Sequence, residues 1–395
     1  MGALGIETIV PRKQRKMKKT LFLLLLILKS WASADNLDEL ATHPSEQIRR
    51  NVERTQYLKK TIPSFSKASF HEKQVQLLTA SAKAIDQQDV FRLADYPTAE
   101  GRPNIHFIYD AETLETFAVF KSGDFRLAEV LSWELGGIFG LDDVFTPSMP
   151  LILGGIPGEL QIFQNDDVPT QLSYDEAMYP LVLFDSYLQC ALGVLLFALE
   201  DMHNDNCYFQ YCREGYIRMG LFDTLMAFRA PYFRPLHSNS DHPSLITPYN
   251  WIGWDFPQID RKVKAKTQQR LLALVNSWEE SIRDARRYFE LGLAPLNLSV
   301  SDQTAIFKRA EQIRAIILHN PETTARLWHE TLVPEFPTVE KKLKESAPAY
   351  KATWLLFRLQ WCPARVYSEW ILPKRRDHLK IWIQNFLQQA NRDAP

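Results

Sequence analysis

Two polar clusters close together in the chain constrain its fold more than any other feature. The first covers residues 201–206, with the sequence DMHNDN, and directly follows a long apolar run. The second contains Asp223, a carboxylate seventeen positions beyond Asn206. This combination suits a loop that orients a hydroxyl group and holds a cation: an Asp, a His and an Asn lie in one short segment, and a further carboxylate follows soon after.

The composition describes a globular chain with one large core or two moderate ones. The chain has 395 residues, of which 46% are hydrophobic and 12% aromatic, and this is enough to bury a sizeable core. The formal net charge of -1 gives no overall attraction to nucleic acid, so we expect no nucleic-acid partner. The four cysteines are too few for a fold built on disulfides.

The N-terminus has the layout of a secretory signal peptide. Basic residues precede an apolar run at 21–28, and a small-x-small cleavage pattern follows at 32–34. The run is short for a transmembrane helix, although an uncleaved anchor is the alternative. Met17 is itself a natural bacterial start, which leaves the true first residue open. We predict a leader at 1–34, with the signal peptide at about 17–34, and an exported or secreted protein that could be delivered to another cell.

The first half of the chain predicts a helical extension followed by a β-rich lobe. Residues 35–100 are mostly helical in pattern, with the best helix at 72–87 and a Pro and Gly cluster after it. In the next segment, 101–165, two β-rich runs at 105–109 and 116–121 predict a hairpin. A helix is predicted at 126–139, ended by Gly140, and a strand between the lobes is predicted at 158–163.

The second half is predicted to be mainly helical. Residues 166–260 begin with an apolar helix at 181–199 that ends at the first polar cluster. Residues 261–395 contain two amphipathic helical patterns, the second with an Asp302 cap, and an aromatic final segment. Trp and Phe at helical spacing most often form core, but the basic residues 374–376 beside Trp370 and Trp382 suit peripheral membrane contact.

These elements resemble the phosphoinositide 3-/4-kinase superfamily, a group similar to the protein kinases. The matching residues are the strand FAVFK at 117–121, Glu129, the 201–206 cluster and Asp223. The family has an Ala-Val-Phe-Lys strand, a helix Glu, a catalytic loop D-R-H-x-x-N and a metal-binding Asp. The nearest resemblance is to type II phosphatidylinositol 4-kinase-like bacterial effectors, whose last motif reads D-N-G-L-A-F where this chain has D-T-L-M-A-F. The match covers roughly 105–228.

The resemblance implies an α+β, bilobal kinase-like fold with a small β-rich N-lobe and a larger helical C-lobe. Helical extensions would flank it at both ends. The cofactors would be ATP and Mg²⁺, and the reaction would transfer a phosphoryl group to a hydroxyl of a phosphoinositide or a protein substrate. No Gly-rich phosphate loop precedes Lys121, which departs from the usual kinase arrangement.

Two residues of the β-rich lobe would bind the nucleotide. By the resemblance, Lys121 would contact the ATP phosphates and Glu129 would pair with Lys121 to fix its position. Phosphoryl transfer needs a fixed cation against the developing charge. The alternative is a surface Lys at a strand end and a solvated Glu on a helix.

The remaining site residues would come from the two polar clusters. Asp201 and His203 would be catalytic, orienting or deprotonating the attacking hydroxyl. Asn206 and Asp223 would hold Mg²⁺, while Asp205 is assigned no role beyond the loop. The alternative is a polar loop whose Asp and Asn side chains cap helices and turns.

Departures from the family motifs support a second hypothesis. Met202 stands where the family has Arg, and Thr224 and Leu225 replace the usual Asn-Gly or Phe-Gly. Because phosphoryl transfer depends on positioning, a noncatalytic pseudokinase or secreted interaction protein that keeps the fold is the alternative function. A weaker alternative is a zinc site at His203, Cys207 and Cys212, which lacks a clear fourth ligand.

Overall fold

The computed structural model describes 37–89, 92–96, 98–99, 102–111, 113, 115–123, 127–163, 182–199, 207–211, 217–221, 224, 227–228 and 260–332. The predicted leader, the 201–206 cluster, Asp223 and the basic, aromatic segment at 370–382 lie outside these residues. Within them the protein is an α+β chain with a small antiparallel sheet and several helices.

Five strands form one antiparallel sheet in the order β1-β2-β3-β5-β4. In chain order they are β1 (Thr98–Ala99), β2 (Arg102–Tyr109), β3 (Thr116–Ser122), β4 (Ser148–Leu153) and β5 (Ile156–Ile162). The β2 and β3 strands pair from Ile105 opposite Lys121 onwards, which confirms the predicted hairpin. The predicted strand at 158–163 is β5, which pairs with β3 on one side and β4 on the other.

A separate two-stranded sheet, β6 (Cys207–Tyr211) and β7 (Ile217–Leu221), belongs to the second half of the chain. The α-helices of the described residues are α1 (Glu46–Thr61), α2 (Ala68–Asp86), α3 (Leu127–Ile138), α4 (Phe184–Phe197), α5 (Ala265–Glu290), α6 (Val300–His319) and α7 (Ala325–Leu332). Among the residues that the structure describes, no helix has the length and apolarity to span a bilayer.

Helix α3 follows β3 in the chain and is buried almost completely. Every residue from Ala128 to Ile138 is buried, as expected for a helix that is packed on all sides. Its C-terminus is closed by Gly140, which adopts a φ of 71°, and by a backbone bond from Leu141 N to Gly136 O at 2.7 Å. These features confirm the predicted helix and its glycine stop.

Helix α5 also holds the C-terminal end of α3. The Trp278 indole donates to Phe139 O at 2.9 Å, and the Ser281 hydroxyl donates to Ile138 O at 2.7 Å. Carbonyl groups in the last turn of a helix have no partner within it. The C-terminal half of the chain therefore supplies hydrogen bonds that α3 cannot make alone.

The N-terminal helices share one core with the sheet. A single buried hydrophobic cluster runs from Leu40 in the N-terminal segment to Trp328 in α7. Helix α1 covers the edge strand β4: the Gln47 amide accepts from Ile152 N at 2.5 Å and donates to Ile152 O at 3.1 Å. A covered edge cannot pair with another chain. The predicted extension at 35–100 is thus packed into the body of the fold.

Burial agrees with the helical pattern predicted for 35–100, but one predicted helix cap is wrong. The large apolar residues between 58 and 78 are buried: Leu58, Ile62, Phe65, Phe70, Val75, Leu77 and Leu78. The predicted Asp302 cap is wrong, because the N-cap of α6 is Ser299, whose hydroxyl accepts from Asp302 N at 3.1 Å. Asp302 lies in the first turn, where a carboxylate favours the positive end of the helix dipole.

Helix α3 packs so closely on α2 that we expect Gly137→Ala to destabilise the fold. A Cβ at Gly137 would lie 2.3 to 2.7 Å from three ring carbons of Phe70, and that ring is itself buried against Trp133 with centroids 4.7 Å apart. Overpacking of this kind costs about 1–3 kcal/mol, more than the gain in helix propensity of about 1 kcal/mol. Urea unfolding measures the change.

The matched control is Gly193→Ala in α4, where the nearest ring atom would be 2.9 Å away. We expect a smaller loss of unfolding free energy there, because a lesser displacement relieves the contact. Equal stability of Gly137→Ala and the parent chain would contradict the close packing of α2 on α3.

Candidate active site

Lys121 and Glu129 form a buried ion pair between the sheet and α3. Lys121 lies near the end of β3, and its Nζ is 2.7 Å from Glu129 Oε1 and 2.8 Å from Oε2. The side chains are only 6% and 2% exposed. The pairing that the family resemblance implied is therefore present, with both carboxylate oxygens directed at one ammonium group.

Neighbouring strands complete the polar environment of this pair. Gln161 of β5 donates through its amide to Glu129 and also to Ser148 Oγ of β4, the latter at 3.1 Å. Glu159 is the cross-strand partner of Lys121 and is fully buried. Residues directly opposite each other in a sheet point to the same face, so strands β3, β4 and β5 contribute polar groups to one buried face.

The burial of the pair excludes the alternative of a surface Lys and a solvated Glu. Moving both charges out of water has a large desolvation cost, which their attraction offsets only when the geometry is good and further hydrogen bonds are made. An apolar pair of similar volume would often be as stable. The retention of two buried charges is therefore more readily explained by a chemical role than by stability.

The residue after Asp223 contacts the helix that carries Glu129. Thr224 is buried, and its hydroxyl lies 3.0 Å from the hydroxyl of Ser132. Ser132 donates in turn to Ala128 O at 2.8 Å, so its oxygen accepts from Thr224. Thr224, which departs from the family motif, thus joins its segment to α3 one helical turn beyond Glu129.

Backbone conformation and hydrogen bonds hold the chain in place at the end of α4, just before the 201–206 cluster in the sequence. Ala198 has a φ of 48° and Phe228 a φ of 65°, and within the described ranges these are the non-glycine residues with positive φ. Phe228 N donates to Phe197 O at 2.7 Å, and Arg309 Nε donates to Leu196 O at 2.8 Å. Such strained conformations cost energy and cluster at functional sites.

The β6–β7 pair places residues that neighbour the two polar clusters in the sequence side by side. Cys207, directly after Asn206, pairs with Leu221, two residues before Asp223. Leu221 also bonds to the segment before β4: its N donates to Val144 O at 2.7 Å, and its O accepts from Thr146 N at 3.2 Å. The hairpin is therefore anchored beside the segment that joins α3 to the sheet.

The structure brings together Lys121 and Glu129 of the predicted site residues. The other four, Asp201, His203, Asn206 and Asp223, lie outside the described residues, so their roles stay predictions. Of the zinc alternative only Cys207 is described, and it is buried in β6. Among the residues whose placement is described, no group of three or more His, Cys, Asp or Glu side chains is arranged to hold a metal.

Several polar residues that support the site were missed from the sequence. Gln161, Ser132 and Glu134 are buried and hydrogen-bonded, yet none was assigned a role. Each is a polar residue inside an otherwise apolar strand or helix, which was the available signal. Their partners are distant in the chain, so the sequence alone could not identify them.

Comparison with protein-family models and with curated proteins finds no match to this chain. The kinase-like resemblance therefore depends on the motifs themselves and on their order along the sequence.

Removing the ammonium group from the buried pair should strongly destabilise the fold. Lys121→Met leaves the Glu129 carboxylate without the two bonds at 2.7 and 2.8 Å, and breaking a buried ion pair in this way costs about 3–5 kcal/mol. Lys121→Met combined with Glu129→Gln should recover most of that loss, because residue 129 no longer holds a buried charge without its cation. Urea unfolding of both variants tests this, and equal losses would show that the unpaired charge is not the cause.

A second prediction concerns how pH affects the ion pairs of Asp143, which connect β7 to helix α2. Asp143 Oδ1 lies 2.5 Å from Lys73 Nζ of α2 and 2.8 Å from Arg218 Nη2 of β7. Burial alone would raise the pKa of Asp143, but these two cations outweigh it and lower the pKa below its ordinary value of 3.8. Because the folded pKa is the lower one, this stabilisation is present above the unfolded pKa and is lost as pH falls through the folded pKa.

We therefore expect Asp143→Asn to reduce the unfolding free energy by about 0.5–1 kcal/mol at neutral pH, since the carboxylate is half-exposed. The difference from the parent chain should shrink as pH falls through the folded pKa and vanish once the parent carboxylate is protonated. Denaturant unfolding over a series of falling pH values measures it, and a difference that grows in acid would contradict the assignment.

Proposed function

We propose that this chain is an ATP- and Mg²⁺-dependent phosphotransferase with a bilobal kinase-like fold. The observation that carries the proposal is the buried Lys121–Glu129 pair, in which a strand Lys is held by both oxygens of a helix Glu. Kinases use this arrangement of strand and helix to set the Lys that contacts nucleotide phosphates.

The chemistry of the donor set fits a nucleotide phosphate. A phosphoryl group in transfer carries negative charge that a preorganised cation stabilises. Lys121 belongs to a strand with neighbours on both sides, and Glu129 and Gln161 restrict the position of the ammonium group. A cation held in this way needs little reorganisation when the charge develops, which is the physical requirement for this role.

The remaining roles are assigned from the motifs. Asn206 and Asp223 would hold Mg²⁺, which neutralises phosphate charge when bound, while Asp201 and His203 would orient the acceptor hydroxyl and take its proton. Support comes from the pairing of Cys207 with Leu221, because these described neighbours of Asn206 and Asp223 lie side by side.

The acceptor is proposed to be a hydroxyl of an inositol lipid or of a protein, since the resembling superfamily contains both. Peripheral membrane contact through the C-terminal segment would suit the lipid. A leader on an ATP-using enzyme also suggests that the protein is exported and works in the cytosol of another cell, where ATP is present.

A second candidate is a pseudokinase that binds nucleotide or a protein partner without catalysis. Met202 and the Thr224-Leu225 pair favour it, because they replace family residues in both polar clusters. Thr224 also weighs against it, since its hydroxyl makes a buried contact to Ser132 and so gives this departure a structural role. Measurements of binding and transfer separate the two candidates.

Removal of the proposed metal ligand should abolish both binding and transfer. We expect MgATP to raise the melting temperature of the purified chain, and Asp223→Ala to remove the Mg²⁺-dependent part of that rise together with phosphate transfer. Transfer is measured with radiolabelled ATP on phosphoinositides and on mixed proteins. Asp205→Ala, in the neighbouring 201–206 cluster, is the control, and it should retain both properties.

The outcomes distinguish the candidates. A parent chain that shows no MgATP-dependent stabilisation would overturn the phosphotransferase proposal. Stabilisation without transfer to any acceptor would favour the pseudokinase. Equal loss in Asp205→Ala and Asp223→Ala would show that both polar clusters are generally sensitive to substitution and that Asp223 has no special role.

A further inference from the structure

We propose that Arg54, in the N-terminal helix α1, is a positioning residue of the phosphate-binding site. Through Glu134 it holds α3 in the orientation that keeps Glu129 against Lys121. The link from Arg54 to the Lys121–Glu129 pair is a property of the fold, whereas its effect on nucleotide binding rests on the proposed function.

The contact between Arg54 and Glu134 has the geometry of a strong ion pair. Arg54 Nη1 is 2.5 Å from Glu134 Oε1, and Nη2 is 2.8 Å from Oε2. The same Nη2 donates to Leu293 O at 2.9 Å, and the Tyr288 hydroxyl of α5 donates to the Glu134 carboxylate. A planar guanidinium that meets a carboxylate with two parallel bonds is both stronger and more directional than a single contact.

The charges around Glu134 are mutually dependent. Burial would lower the pKa of the Arg54 guanidinium, but the Glu134 carboxylate outweighs it and raises the pKa. Burial is the main cause that raises the pKa of Tyr288, and the Glu134 carboxylate raises it further. The Tyr288 hydroxyl therefore stays protonated and donates a hydrogen bond. The Glu134 side chain is 3% exposed, so the carboxylate depends on Arg54 and Tyr288 in place of water.

Glu129 and Glu134 lie on nearly opposite sides of α3. Five residues at 100° each place their side chains about 140° apart around the helix axis. Lys121 binds the carboxylate on one side and Arg54 binds the one on the other, so a rotation of α3 about its axis would strain both pairs. Helix α3 is thereby fixed between the buried Lys121 and the partly buried Arg54.

Removal of the Arg54 guanidinium should therefore weaken the contact between Glu129 and Lys121. A buried carboxylate without its cation is strongly unfavourable, and Glu134 can regain hydration only if α3 rotates or shifts towards solvent. Such a movement carries Glu129 away from Lys121, because both residues belong to one rigid helix. Packing of Phe70 on Trp133 opposes the movement, so the expected result is a displaced equilibrium within a folded chain.

This arrangement has a consequence for regulation. In protein kinases the position of the helix that carries the Glu is controlled by phosphorylation or by other changes outside the helix. Here the chain's own N-terminal helix supplies the holding contact. The Lys–Glu pair is thus assembled within one chain, and the segment at 46–61 is a working part of the site.

The test is Arg54→Met in the full-length chain, with the reactivity of Lys121 as the direct readout. A buried, ion-paired amine is protected from an N-hydroxysuccinimide ester, and labelling at each Lys is quantified by mass spectrometry with exposed Lys266 as the reference. We expect Arg54→Met to increase labelling of Lys121 at least five-fold and to weaken MgATP binding at least ten-fold. Arg54→Lys, which keeps the charge but loses the two parallel bonds, should give intermediate values.

Two further variants separate positioning from general destabilisation. Arg326→Met breaks a bidentate pair that joins α7 to Asp260, a more exposed carboxylate than Glu134, and it should leave Lys121 protected even if the melting temperature falls. Arg54→Met with Glu134→Gln removes the unpaired charge and leaves an acceptor for Tyr288. This double variant should return the labelling of Lys121 to near the parent value.

The outcomes decide the proposal whether or not the chain is a kinase. Unchanged labelling of Lys121 in Arg54→Met and Arg54→Lys would overturn the positioning role, as would equal labelling in Arg326→Met. If the parent chain does not bind MgATP but Arg54→Met exposes Lys121, the positioning role stands and the proposed function fails. If Arg54→Met does not fold, Arg54→Lys and the double variant carry the test.

Discussion

The ion pair between Lys121 and Glu129 is the interaction on which the arrangement of this protein depends. Two charges taken out of water are stable only where the surrounding groups keep them in good geometry. Both carboxylate oxygens lie within 2.8 Å of the ammonium nitrogen, and strand β5 contributes Gln161 to the same carboxylate. The sheet and α3 must therefore keep one relative position, and much of the remaining fold serves to hold it.

Three parts of the chain meet at α3 for this reason. The N-terminal helices contribute Arg54 and Phe70, and the C-terminal helix α5 contributes Tyr288 together with caps for the last carbonyls. The segment after Asp223 adds the Thr224 contact to Ser132. Regions on either side of the kinase-like segment are therefore integral to it, and a site of this kind would lose its geometry without them.

Unusual backbone conformations and supporting contacts occur beside the two polar clusters to which the chemistry is proposed to belong. The positive φ values of Ala198 and Phe228 occur at the exit towards the 201–206 cluster and at the return from Asp223. The hairpin between these clusters is tied to the segment before β4 through Leu221 and through the cations around Asp143. The described residues next to both clusters are therefore held by backbone hydrogen bonds and by the ion pairs of Asp143.

By itself, the sequence determined the local elements. Alternating and helical hydrophobic patterns depend on neighbours within a few residues, so they predicted the hairpin of β2 and β3 and helix α3 with its Gly140 stop. The Lys121–Glu129 pairing followed from a family resemblance. The Asp302 cap was wrong because Ser299, three residues earlier, offers a hydroxyl that caps the same helix. Only the tertiary structure decided that Arg54 and Glu134, eighty positions apart, hold the opposite side of α3, and that Thr224 contacts Ser132. Such contacts depend on how distant segments pack, and no local pattern of hydrophobicity records which buried polar groups will meet.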